Sequence, residues 1–120
     1  QIQSSIEFYM LHQGQKFVKR FDANTYLRIL DAWQNFDILD ECGFNDYKEM
    51  FSRCSHQKYL IFTINSDVCF YPHHQEELSA SLTEGGIDPM HITVHSEKGH
   101  DSFLLEPELF APHISYALNI

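Results

Sequence analysis

The chain has 120 residues, with 17 acidic against 8 basic side chains and a formal charge of -9. That is one domain's length at most, and 43% hydrophobic with 14% aromatic residues is too much apolar surface for a disordered chain. The acidic balance argues against a nucleic-acid partner, and no apolar run approaches the ~20 residues needed to cross a membrane.

Ile2, Ile6 and Tyr9/Met10 recur at helical spacing, and Gly14 is the expected stop. A second helix is expected from Asn24 to Asp40, with Tyr26, Leu27, Leu30, Trp33 and Phe36/Asp37 along one stripe and Asp22 or Asn24 as its cap. Asp46 followed by Glu49 resembles a capping box that opens a short helix through Phe51 to Cys54. The period then changes. The apolar run 59–64 reads as a parallel strand covered on both faces. Pro72 opens a helix with Leu78 and Leu82 inward, and Gly85-Gly86 ends it. Met90, Ile92 and Val94 alternate with His91, Thr93 and His95, as in a half-exposed strand. A last helix runs from Pro107 toward Ile120, bent or restarted at Pro112.

Strand, helix, strand, helix is a βαβ unit with a trailing helix, and such a crossover makes its two strands parallel. Two strands do not form a stable sheet alone, so the chain reads as part of a larger α/β protein. Three cysteines, Cys42, Cys54 and Cys69, form no C-x-x-C pair, and Gln1 to Ser5 does not read as a signal peptide. A soluble cytoplasmic protein with buried or idle thiols is expected, Cys69 among them as a packed thiol.

Parallel strands end on one edge of the sheet, where α/β proteins bind ligands. Asn65-Ser66-Asp67 follows the first strand and Ser96 to Asp101 the second, so Asp67 and His100 are presented from one edge. A carboxylate on imidazole Nδ1 fixes the tautomer and supports the imidazolium, and Gly99 permits a tight approach beside it. Acid before histidine is also the order in which the α/β-hydrolase triad ends. A loop Asp is otherwise a turn former, and a loop His a surface group. No G-x-S-x-G occurs, and neither Ser66 nor Ser102 sits in a strand-to-helix elbow. The eight histidines show no H-E-x-x-H spacing, and adjacent His73 and His74 are expected to diverge, so no metal is expected.

Gln13-Gly14-Gln15-Lys16-Phe17-Val18-Lys19-Arg20-Phe21-Asp22-Ala23-Asn24-Thr25-Tyr26-Leu27 resembles a segment of homoserine O-acetyltransferases. Ser66-Asp67-Val68-Cys69-Phe70-Tyr71-Pro72 with Gln75, Glu77 and Leu78 resembles a second, and Gly99-His100-Asp101-Ser102-Phe103-Leu104-Leu105-Glu106 a third. Cys69 and Tyr71 depart from the family's usual Leu and Pro.

The resemblance implies the C-terminal portion of an α/β-hydrolase fold, a parallel βαβα unit preceded by helices of a lid. Residues 1–52 would be the lid's end and return helix, and 53–120 the core that carries triad acid and base. It also implies acyl transfer from acetyl-CoA or succinyl-CoA, as co-substrate rather than cofactor, to L-homoserine in methionine biosynthesis, through an acyl-serine. Asp67 would be the triad acid, His100 the base, and Asp101 a partner for the homoserine amino group. The serine would lie upstream, leaving these residues inactive alone, and the lid would form a homodimer. Arg20, Asp22 and Asn24 would line a substrate tunnel or form a cap and polar network. An esterase or acyltransferase with another acceptor, and a non-catalytic lid and dimerisation module, are the rival readings.

Overall fold

A computed structural model describes residues 4–119. They divide into two compact units, one ending at Glu41 and one beginning at Cys42.

The first unit is helical. Helix α1 is Ser5–Arg20, capped by the Ser4 hydroxyl, which accepts from the Glu7 N–H. Ile2 lies outside the described residues. Gly14 does not stop the helix: it sits mid-helix among good helix formers, and an interior glycine costs only ~1 kcal/mol. The stop comes at Phe21, whose backbone turns extended while Phe17 stacks on Phe21 at 5.5 Å and meets the edge of Tyr26 at 5.7 Å. Helix α2 is Ala23–Asn35, and Asp22 caps it with Oδ2 accepting from the Thr25 N–H at 2.8 Å. That bond and the Thr25 hydroxyl hold the Asp22 carboxyl below its ordinary value. Asp22 therefore acts as a cap. Instead of one helix to Asp40, the chain breaks after α2 and restarts as α3, Ile38–Cys42, because Asp37 Oδ1 accepts from the Leu39 N–H at 2.9 Å. No residue of α1, α2 or α3 is buried.

The second unit carries α4 (Tyr47–Ser52), β1 (Leu60–Ile64), α5 (Pro72–Glu84), β2 (Met90–Val94), α6 (Ser102–Leu105) and α7 (Ala111–Leu118). Asp46 caps α4 through the Glu49 N–H at 2.7 Å, while the Glu49 carboxylate reaches back to Asn45. β1 and β2 are parallel, in register Leu60↔Met90 through Ile64↔Val94. Phe62, Ile64, Ile92 and Val94 share one face, on which Phe110 packs, its ring 5.1 Å from Phe62. On the opposite face the half-buried His91 bonds the buried Thr63 hydroxyl at 2.6 Å, so His91 is not the surface imidazole its strand position implied.

Leu82 of α5 is fully buried, but Leu78 is 41% exposed, so only one of the two expected inward leucines is inside. The glycines ending α5 have separate jobs. Gly86 takes the left-handed conformation, φ +85°, and its N–H and that of Ile87 return to Thr83 and Leu82 carbonyls, a Schellman ending. Gly85 gives space: a Cβ there would lie 2.5 Å from Cβ of Phe51 on α4. Gly85→Ala must push α4 off α5, and we expect a loss of about 1–3 kcal/mol. An unchanged denaturation midpoint would show that the helices are not in contact there. At the C-terminal end the chain restarts at Ala111, one residue before Pro112, after a 3-10 turn at Pro107–Leu109.

Candidate active site

Because β1 and β2 are parallel, the chain leaves both at the same edge. After Ile64 a tight turn, closed by the Asp67 N–H on the Ile64 carbonyl at 3.0 Å, delivers Asp67 to that edge. After Val94 the chain passes Ser96 and enters a 3-10 turn, Gly99–Asp101, which delivers His100. The two side chains meet: His100 Nδ1 lies 2.9 Å from Asp67 Oδ2.

The partners differ in environment. The Asp67 side chain is 5% exposed and that of His100 is 40% exposed. The other Asp67 oxygen, Oδ1, accepts from the backbone N–H groups of Cys69 at 2.8 Å and Phe70 at 2.9 Å. Burial pushes the Asp67 carboxyl up, but the Phe70 N–H, the His100 ring and the Cys69 N–H outweigh it and hold the pKa below its ordinary value. The acid is thus an ionised acceptor with both oxygens engaged. An imidazole so held carries its proton on Nδ1 and offers Nε2 as a base. Phe70, 5.0 Å from the imidazole, and Phe103, 5.5 Å away and edge-on, flank it. These rings, with Asp67, His100 and Gln75, border a cavity of about 450 Å³ that continues over Phe62 and Phe110.

The sequence-predicted residues fare differently. Asp67 and His100 come together, while Asp101 is exposed and does not line that cavity. Ser66 is half-buried, with its hydroxyl bonded to the backbone of the second loop; Ser102 is fully buried, and its hydroxyl has no partner among the described residues. Cys69 is exposed rather than packed, since the turn that gives its N–H to Asp67 leaves its side chain outside. The His73 and His74 rings do not diverge: their centroids are 4.1 Å apart. Among the described residues no three His, Cys, Asp or Glu side chains gather as a metal site, and no helix is long and apolar enough to cross a membrane.

Sequence reasoning missed the residues that tie the loops together. Asn65 Oδ1 accepts from the Ser96 N–H at 3.0 Å, and the Ser96 hydroxyl accepts from the Lys98 N–H at 3.0 Å while donating to Glu106. These cross-loop bonds have no spacing signature. Phe103 was findable, because i+3 in a helical turn places it beside His100.

A homoserine O-acetyltransferase of Methanosarcina acetivorans is 39% identical over 101 residues, 84% of this chain and 18% of that protein. One of Deferribacter desulfuricans is 37% identical over 84% of the chain and 26% of its own length. The chain is similar to homoserine O-acetyltransferases. One of Haemophilus influenzae, 33% identical over 109 residues, extends the match to 91% of the chain and 30% of that protein. No family model matches. The chain spans about a fifth to a third of the length of these homoserine O-acetyltransferases. Its mixed helix and parallel-strand structure is compatible with part of an α/β protein.

Proposed function

We propose that the protein carrying this chain transfers an acyl group from acyl-CoA, acetyl-CoA in the first place, to the hydroxyl of L-homoserine, in the cytoplasmic synthesis of methionine. One observation carries the reading: an ionised, buried Asp67 holds His100 Nδ1 at 2.9 Å on loops following parallel strands, in a chain similar to homoserine O-acetyltransferases.

In this reading the fold is an α/β-hydrolase, with residues 1–52 from its lid and 53–120 from its core. The nucleophile is a serine upstream of Gln1, since this sequence has no G-x-S-x-G, and these residues alone are inactive. His100 Nε2 takes the serine proton as the oxygen attacks the thioester carbonyl. The C–S bond breaks, and CoA leaves with that proton. His100 then takes the homoserine hydroxyl proton as its oxygen attacks the acyl-serine, and the proton returns to the serine. Asp67 stabilises the imidazolium in both halves. Asp101, an exposed carboxylate one residue beyond His100, binds the homoserine ammonium. Exposed apolar residues in 1–52, such as Phe8 and Tyr9, support a dimer through the lid.

Acyl trapping tests this. Full-length protein given acetyl-CoA or succinyl-CoA without homoserine should gain the acyl mass on a serine outside these 120 residues, and added homoserine should discharge it. Discharge by water at the same rate would make the protein a hydrolase. No acylation by either donor would leave a non-catalytic lid module.

A further inference from the structure

The pair at the sheet edge depends on two separate loops keeping one register; beside the Asn65–Ser96 bond, one hydroxyl spans them next to the pair itself. Ser66 Oγ donates to the Ser96 carbonyl at 2.5 Å and accepts from the Gly99 N–H at 3.0 Å. Ser66 immediately precedes Asp67, and Gly99 immediately precedes His100. The cross-link therefore joins the two residues from which the acid and the imidazole project.

Gly99 is itself held in a special shape. Its φ is +63°, and a Cβ there would lie 3.6 Å from the Ser66 carbonyl oxygen. The left-handed turn at Gly99 and the Ser66 bond act on the same peptide, so this N–H has one direction and one acceptor. Without the hydroxyl, Gly99 N–H and Ser96 C=O both lose their partner, and the turn carrying His100 has nothing at that point to hold it against Asp67.

We infer that Ser66 is a positioning residue, which acts through the Gly99 peptide to set the His100 imidazole on Asp67. It is not a nucleophile. The inference deepens the acyl-transfer reading and rests on it for its kinetic consequence, but its structural consequence can be read without substrate.

The test uses the full-length protein. A side chain displaced by about 1 Å costs on the order of 10²-fold in rate, so Ser66→Ala should lower kcat by about that factor and leave KM for the acyl donor near its original value. In parallel, the hydrogen-bonded Nδ1 proton of His100 should give a downfield proton resonance in the parent protein that disappears in Ser66→Ala. Ser66→Thr, which keeps the hydroxyl, should restore both. If Ser66→Ala does not fold, Ser66→Cys fills the same space with a much weaker donor and acceptor and should show the same two losses. Full kcat together with a retained resonance in the hydroxyl-free variant would overturn the inference, even with His100→Ala inactive and the acyl-transfer reading intact. If the parent protein transfers no acyl group, that reading fails separately, and the resonance alone decides the role of Ser66.

Discussion

His100→Ala should lower kcat/KM for homoserine-dependent CoA release by about 10⁴-fold or more. The reason is the geometry of one ring. Asp67 occupies Nδ1 at 2.9 Å, the side chain is 40% exposed, and Nε2 is the remaining position for a proton from a nucleophile. Both half-reactions pass a proton through it, so acylation and transfer to homoserine should fall together. KM for the donor should move little, since the ring serves charge development rather than binding. Loss confined to the second half-reaction would mean that another group activates the nucleophile.

Asp67→Asn should cost about as much, near 10⁴-fold in kcat, although it changes one atom. The asparagine oxygen can still accept from the Cys69 and Phe70 N–H groups, so the turn should persist. Its amide N–H would then face Nδ1, forcing the imidazole proton onto Nε2, the nitrogen that must be bare. The double variant Asp67→Asn/His100→Ala should be no worse than the more damaged single variant, because the pair acts as one unit. Stability supplies a second readout. The Asp67 pKa is lowered in the fold, so its contribution is complete above its unfolded value of about 3.9 and is lost as pH falls through the lower folded value. Denaturation midpoints of the parent and Asp67→Asn should therefore differ at neutral pH and converge in strong acid. A constant gap down to pH 2 would show that the carboxylate charge is not what the fold holds there.

The period-2 run and the Pro-to-Gly-Gly span are enough to read the βαβ unit, and parallel pairing places Asp67 and His100 on one edge. The helices before it are less legible, because their ends are set by local competition rather than by period. Gly14 looked like a stop, but the stop was the Phe17, Phe21 and Tyr26 cluster. Asp37 looked like one more residue of a stripe, but its side chain captured a backbone N–H and broke the helix. The lock around the pair was illegible for a different reason. Ser66, Asn65 and Ser96 bond across about 30 residues of chain, and no spacing announces a hydroxyl that reaches another loop's backbone. The lack of a cation beside Cys69 in the sequence points to a packed thiol, but the turn that gives its N–H to Asp67 leaves the side chain outside.

The most direct measurement is CoA release by the full-length protein with acetyl-CoA or succinyl-CoA, with and without L-homoserine, beside His100→Ala. The account predicts release that needs homoserine and collapses in the variant. Release that ignores homoserine, or that survives the loss of His100, would contradict it.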